Sequence, residues 1–135
     1  MNRWLLKAEP ADYAWERFVA DGQTAWTGVR NHEAAANLRA MAAGDPAFFY
    51  RSLKAPAIVG TMRITRAAYP DPTAEDLRWV CVDAVPMAPL PRPLTLAAIK
   101  ADPRFADLAL VRRSRLSVVP VGEGHWRALC EMAGG

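Results

Sequence analysis

The sequence predicts an α+β domain: a mixed, mostly antiparallel β pseudo-barrel of about five or six short strands with short helices around it. Three observations lead there. The 135 residues leave room for one domain, spanning 1–135. A composition 52% hydrophobic and 23% charged can bury one proper core. Four or five short helical signals are inserted among strand-like runs without regular βαβ alternation.

Taken in order, Arg3-Trp4-Leu5-Leu6-Lys7 is an apolar run between polar residues that ends before Glu9-Pro10, as a buried first strand would. Tyr13, Trp15, Phe18 and Val19 then recur at near-helical spacing, with Asp12 placed to cap the start and Gly22 to give a left-handed exit. Thr24-Ala25-Trp26-Thr27-Gly28 has no period and reads as a loop. The next helix is capped by Asn31 and carries Glu33 in its first turn. Its apolar face is Ala34, Leu38, Met41 and Ala42, and Gly44 stops it.

Beyond Gly44 the period shortens. Strands are expected over 47–51, which contains Phe48, Phe49 and Tyr50, and over 58–65, where Ile58, Met62 and Ile64 alternate with polar neighbours. Gly60 inside the second run predicts a bulge or a close backbone approach. A turn-rich connector over 69–73 leads to a strand at 78–85, with Trp79, Cys81 and Val85 expected on one side. Pro86, Pro89, Pro91 and Pro93 are then expected to exclude regular structure. A capped short helix at 95–100, a second near 103–106, a last strand at 117–121 and an amphipathic helix over 123–132 complete the chain.

Composition also excludes several function classes. The longest uncharged stretches, 80–82 and 84–90, fall far short of the roughly 18–20 apolar residues that span a bilayer, so no membrane partner is expected. Only Trp4, Leu5 and Leu6 separate Arg3 from Lys7, too short a run for a secretory signal, and a cytosolic location is the expectation. Cys81 and Cys130 lie 49 positions apart with no Cys-x-x-Cys or Cys/His cluster, which fits reduced thiols behaving as small hydrophobes. No cofactor and no metal are expected. No Walker A, Gly-x-Gly-x-x-Gly, His-Glu-x-x-His or Gly-x-Ser-x-Gly pattern occurs, and no catalytic residue is assigned.

The net charge of +3 decides little alone, although 14 of the 17 basic residues are arginine, whose planar fork suits phosphates and base edges. High genomic G+C content would produce the same bias. Aromatics are more informative. Eight of the twelve (Trp4, Tyr13, Trp15, Phe18, Trp26, Phe48, Phe49, Tyr50) fall in the first fifty residues, interleaved with Lys7, Arg30, Asn31 and Arg51. Trp4, Trp15 and Phe18 occupy regular element positions and read as core. Trp26 lies in an aperiodic loop beside Gly28, just ahead of Val29-Arg30-Asn31 at a helix start, where free N–H groups suit base carbonyls or phosphate oxygens. Two readings stand side by side. In one these residues form a ligand site; in the other Trp26 plugs the barrel mouth, Arg30 makes an ion pair and Asn31 merely caps.

Eight segments in order carry a family resemblance: Lys7-Ala8-Glu9-Pro10, Trp26-Thr27-Gly28-Val29-Arg30-Asn31, Asn37-Leu38-Arg39-Ala40-Met41, Gly44-Asp45, Phe49-Tyr50-Arg51-Ser52, Ile58-Val59-Gly60, Tyr69-Pro70-Asp71 and Arg115-Leu116-Ser117-Val118. Together they resemble the EVE domain family of the PUA-like superfamily over nearly the whole chain. The resemblance implies a PUA-like pseudo-barrel whose pocket holds one nucleobase. Family members are regarded as readers of modified bases in DNA or RNA, as related YTH and SRA domains are. A non-catalytic reader whose partner is DNA or RNA carrying a modified base is therefore the expected function.

Carried over by position, Trp26 would be a stacking wall beside Gly28, and Val29, Arg30 and Asn31 would supply donors from the helix start. Tyr50, Arg51 and Ser52 would form the opposite rim, Lys7 and Ala8 would line the approach, and Arg115, Leu116 and Ser117 would complete the floor. Three positions depart from the usual pattern. Ala8 stands where Lys-Ser-Glu-Pro is common, Arg51 where Tyr-His-Ser is common, and Ala35 where arginine is usual. A hydroxyl, an imidazole and a guanidinium are thus missing from expected places, which bears on base preference. The rival expectations are an enzyme acting on a nucleotide-like or small amide substrate through Lys7, Glu9 or Tyr50, and a protein-interaction module whose arginines meet an acidic partner.

Overall fold

A six-stranded mixed sheet in the order β2-β5-β4-β3-β1-β6 organises the computed structural model, which describes residues 1–134. The strands are β1 (Arg3–Ala8), β2 (Thr24–Ala25), β3 (Pro46–Arg51), β4 (Ala57–Pro70), β5 (Val80–Thr95) and β6 (Val118–Val121). Only the β1–β3 pairing is parallel; every other pairing is antiparallel, in keeping with the expected class. The helices are α1 (Trp15–Asp21), α2 (His32–Ala40), α3 (Leu96–Ala101), a 3-10 turn (Pro103–Phe105), α4 (Ala109–Arg112) and α5 (Glu123–Met132). None of them is long and apolar enough to cross a membrane.

The adjacent strands β1 and β3 are buried on both faces, which is why Leu5-Leu6 and Phe48-Phe49-Tyr50 read as continuous apolar runs rather than alternating ones. Phe49 turns to α1, where it meets Phe18 nearly face to face at 5.6 Å and Trp15 edge-on at 5.3 Å. Phe48 turns the other way and stacks on Trp126 of α5, with centroids 3.9 Å apart. The sheet is thus sealed by α5 on one side and by α1 on the other, and the α1 side carries the candidate site.

Several expectations need correction. Asp12 does not cap α1; Ala14 is its N-cap and provides no side-chain bond, while Gly22 does take the left-handed exit at φ +78°. Part of the expected loop at 24–28 is strand, because Thr24 and Ala25 pair with Ala84 and Asp83. Helix α2 ends at Ala40, with Met41 already extended, so Ala42 lies outside the helix and is exposed. Tyr69 and Pro70 belong to β4 rather than to a connector. The short helix α4 had no counterpart in the sequence reading.

The largest difference is in β5, which runs through Pro86, Pro89, Pro91 and Pro93. Strand β2 covers only Asp83 and Ala84, so beyond them β5 pairs on one side alone, with β4. A missing N–H is tolerated on such an open edge. The register of β4 and β5 shifts repeatedly along this ribbon, which frees more positions from the ladder. The inward face of β5 also differs from that expected, although Cys81 is buried as expected. Val80, Val82 and Ala84 enter the core, whereas Trp79 lies against His32 at 4.9 Å and Val85 is half-buried.

Gly60 meets both of its expectations. The β4 register shifts between Ile58 and Gly60, and a Cβ on Gly60 would fall 2.4 Å from Trp15 Cη2. Cys81 is buried and Cys130 half-buried; both are free thiols whose ionisation burial pushes up.

Candidate binding cleft

The end of β1, the 9–13 turn, the outer face of α1 and the segment 24–27 enclose an open cleft of about 460 Å³. Backbone bonds from Asp12 and Tyr13 to the Glu9 carbonyl, 2.9 and 2.8 Å long, form the turn that follows β1. Arg17 and Asp21 then fall on one side of α1 because they are four residues apart, and Tyr13, just before the helix, lies against both. The Tyr13 hydroxyl donates to Asp21 at 3.0 Å, and the Arg17 guanidinium lies 5.5 Å from the Tyr13 ring centroid. Burial is the largest influence on the Tyr13 phenol and pushes its pKa up, with the Asp21 carboxylate adding to that against the Thr24 hydroxyl.

Trp26 closes this cleft from the core side and is only 8% exposed. Its backbone N–H bonds to the Val82 carbonyl at 2.7 Å, continuing the β2–β5 pairing by one residue. Near-perpendicular contacts with Tyr13, Phe18 and Phe49 at 6.4, 6.5 and 5.6 Å fix the ring. Among the described residues no side chain or carbonyl accepts from Trp26 Nε1, yet no buried side-chain nitrogen or oxygen is left unpartnered. The indole N–H therefore keeps some solvent exposure, and Trp26 is one of the residues lining the cleft.

A buried carboxylate braces the loop that follows Trp26. Asp71 Oδ2 accepts from the Gly28 amide at 2.9 Å and from Arg30 Nη1 at 3.0 Å, while Oδ1 accepts from the amide and hydroxyl of Thr73. Burial alone would raise the Asp71 pKa; the Thr73 hydroxyl, the Gly28 and Thr73 amides and Arg30 outweigh it and hold the carboxyl at about 2. Gly28 takes φ +85°, a left-handed conformation that by itself favours glycine, and a Cβ there would meet no protein atom within 4 Å.

The expected site residues separate into groups. Lys7, Ala8 and Trp26 share the cleft. Lys7 Nζ donates to the Ser114 carbonyl at 3.0 Å and lies 5.7 Å from the Tyr50 ring centroid; burial lowers its pKa. Val29 is a core side chain and Arg30 is tied to Asp71 and Thr73. The Asn31 side chain accepts from the Ala34 amide at 2.9 Å as the α2 cap. The ion-pair and capping alternatives are thus the geometry seen for Arg30 and Asn31. Tyr50 is buried beneath Lys7. Both the amide and the hydroxyl of Ser52 donate to the Ala8 carbonyl, fastening the end of β3 to the end of β1.

Arg51 turns to the Ala55 carbonyl and lines a second, apolar cleft of about 300 Å³ with Trp15, Phe49, Leu90 and Pro93. Arg115 and Leu116 border a third, of about 260 Å³, with Asn31 and the 112–114 segment. The Ser117 carbonyl accepts from the Lys7 amide. Ala35, the last of the three departures from the family pattern, is buried. The residues missed on the cleft wall are Asp12, Tyr13, Arg17, Asp21, Thr24, Ala25 and Thr27, and Glu9 was named only for the enzyme alternative. The four-residue spacing of Tyr13, Arg17 and Asp21 was the available signal.

Chemically, the cleft wall carries two cations, Lys7 and Arg17, and three carboxylates, Glu9, Asp12 and Asp21. That is one net negative charge. The wall suits a flat, neutral ligand that presents N–H donors to carboxylates and an acceptor to the indole N–H, and it does not suit a phosphate.

The chain is similar to known proteins over nearly its whole length. Human thymocyte nuclear protein 1 is 31% identical over 154 aligned residues, covering 89% of this chain and 68% of that protein. A solved structure from Agrobacterium tumefaciens is 42% identical with a TM-score of 0.97, covering 99% of this chain and 94% of that one. The crystal structure of human THYN1 in complex with 5-methylcytosine-containing DNA is 28% identical with a TM-score of 0.93, covering 100% of this chain and 99% of that one. The EVE domain model matches residues 2–132, and the chain belongs to the EVE domain family.

Proposed function

We propose that this chain is a nucleic-acid-binding module, a reader that receives one modified nucleobase in the cleft beside Trp26. The observation that carries the reading is the pairing of two facts. A structural relative covering the whole chain is the human THYN1 complex with 5-methylcytosine-containing DNA, and here the same fold opens a cleft lined by Trp26, whose indole N–H has no partner among the described residues. The base would lie against Trp26 and Tyr13, and Lys7, Ala8 and the Glu9 and Asp12 carboxylates would read its edge. Carboxylates accept from exocyclic amino groups such as that of cytosine, so an amino-bearing base fits the wall better than thymine or uracil. Arginines outside the cleft that face no carboxylate would hold the phosphate backbone. Because extrusion from a duplex costs a few kcal/mol, an unpaired or single-stranded site is the preferred presentation. The action is binding without catalysis, in a cytoplasmic setting that suits two free thiols.

The test is fluorescence polarisation with single-stranded oligonucleotides containing 5-methylcytosine, 5-hydroxymethylcytosine or N6-methyladenine, each against its unmodified counterpart at matched salt. Tighter binding of at least one modified strand is expected. Equal affinity across every pair removes the base-reading role. Turnover of a bound nucleotide, lost on Lys7→Met, would instead favour the enzyme reading.

A further inference from the structure

The base cleft is net negative by one charge, so attraction for a polyanion has to come from elsewhere on the surface. The adjoining cleft of about 260 Å³ supplies the opposite field. It is lined by Asn31, Arg112, Arg113, Ser114, Arg115 and Leu116, with no carboxylate among them. Arg113 is engaged by Glu33 of α2 through two hydrogen bonds. Arg112 and Arg115 are exposed, and neither guanidinium has an ion pair or a hydrogen bond among the described residues. Arg17, Arg30, Arg78, Arg104 and Arg127, by contrast, each face a carboxylate.

The two clefts share a partition. Lys7, a wall residue of the base cleft, donates through Nζ to the Ser114 carbonyl on the wall of the basic one. We infer that Arg112 and Arg115 form a phosphate seat for the strand whose base enters the neighbouring cleft, and that Glu33 holds the third guanidinium of the same cleft out of use. The inference rests on the proposed base-reading role. It divides the work: the first cleft discriminates bases, and the second provides affinity that depends on salt and not on sequence.

The experiment is a salt titration of the 5-methylcytosine oligonucleotide and its unmodified counterpart with four proteins: wild type, Arg112→Ala/Arg115→Ala, Glu33→Gln, and the charge-matched control Arg104→Ala/Arg127→Ala. Each single-strand phosphate contact contributes about 0.7 to the slope of log affinity against log salt, so the first double variant is expected to flatten the slope by about 1.4. That corresponds to about 25-fold weaker binding at 0.1 M salt, converging with wild type towards 1 M. The ratio of modified to unmodified affinity should not change. Glu33→Gln, which releases Arg113, should steepen the slope by about 0.7.

The control, whose guanidiniums are tied to Asp102 and Glu123, should keep the wild-type slope. An unchanged slope in Arg112→Ala/Arg115→Ala, or an equal flattening in the control, overturns the assignment. A wild type that binds both strands equally defeats the base-reading role, while a flattened slope in the first variant still supports the phosphate seat. A wild type that binds neither strand overturns both.

Discussion

Asp71→Asn removes one negative charge from the centre of the brace that holds the Trp26 loop. In the folded protein the Asp71 carboxyl titrates at about 2, against an ordinary value of 3.8. At about 1.36 kcal/mol per pK unit, this difference of nearly two units corresponds to about 2 kcal/mol, after allowance for Arg30 being partly solvated. An unfolding entropy of about 2.1 cal/mol/K per residue over this chain converts that into a fall in Tm of roughly 7 °C at neutral pH. The sign follows from a depressed carboxylate: the contribution is complete above about pH 5 and is lost as pH falls through 3.8 towards 2. Thermal unfolding followed by circular dichroism from pH 7 to pH 2 should show the two proteins well separated above about pH 5 and converging below it. A constant gap across that window, or no gap at pH 7, would refute the account of Asp71 as the charged keystone. Because the Gly28 amide loses its charged acceptor in the variant, affinity for a modified strand should fall with stability.

Two further substitutions probe the aromatic side of the site. Trp26→Phe keeps most of the packing against Phe18 and Phe49 but deletes the free N–H, and is expected to weaken binding of a modified oligonucleotide by roughly fivefold, the worth of one hydrogen bond of about 1 kcal/mol. Trp26→Ala should weaken it by roughly tenfold or more, since a base stack is worth about 1–3 kcal/mol, and polarisation at matched salt distinguishes the three proteins. Gly60→Ala would place a methyl 2.4–2.7 Å from three atoms of the Trp15 ring. The ring has to move, at a cost of about 1–3 kcal/mol, and denaturant unfolding together with the near-ultraviolet dichroism of the tryptophans should report both the loss and the shift.

The features legible in advance are those whose cause lies within a few residues. Asn31 caps α2, Thr95 caps α3 and Gly22 ends α1 because capping and left-handed exits depend on local geometry. The close approach at Gly60 was visible as a missing side chain within an alternating run, although the partner, Trp15, was not. Lys7, Ala8 and Trp26 were brought together by the family resemblance and meet in the cleft.

Other features depended on neighbours that no local pattern names. The four prolines after Val85 stay in a strand because β2 is too short to pair with that part of β5, a fact about the far edge of a sheet. Asp71 looks like an ordinary turn residue until the fold sets it against Gly28, 43 positions away. Arg51 and Arg115 border clefts other than the one they were expected to share; Arg51 is drawn away by the Ala55 carbonyl. Propensity, capping and hydrophobic period act over short spans and were readable from the chain itself. Which edge stays open, which carboxylate is desolvated and where a long side chain points are set by contacts between distant segments, and only the tertiary structure decides them.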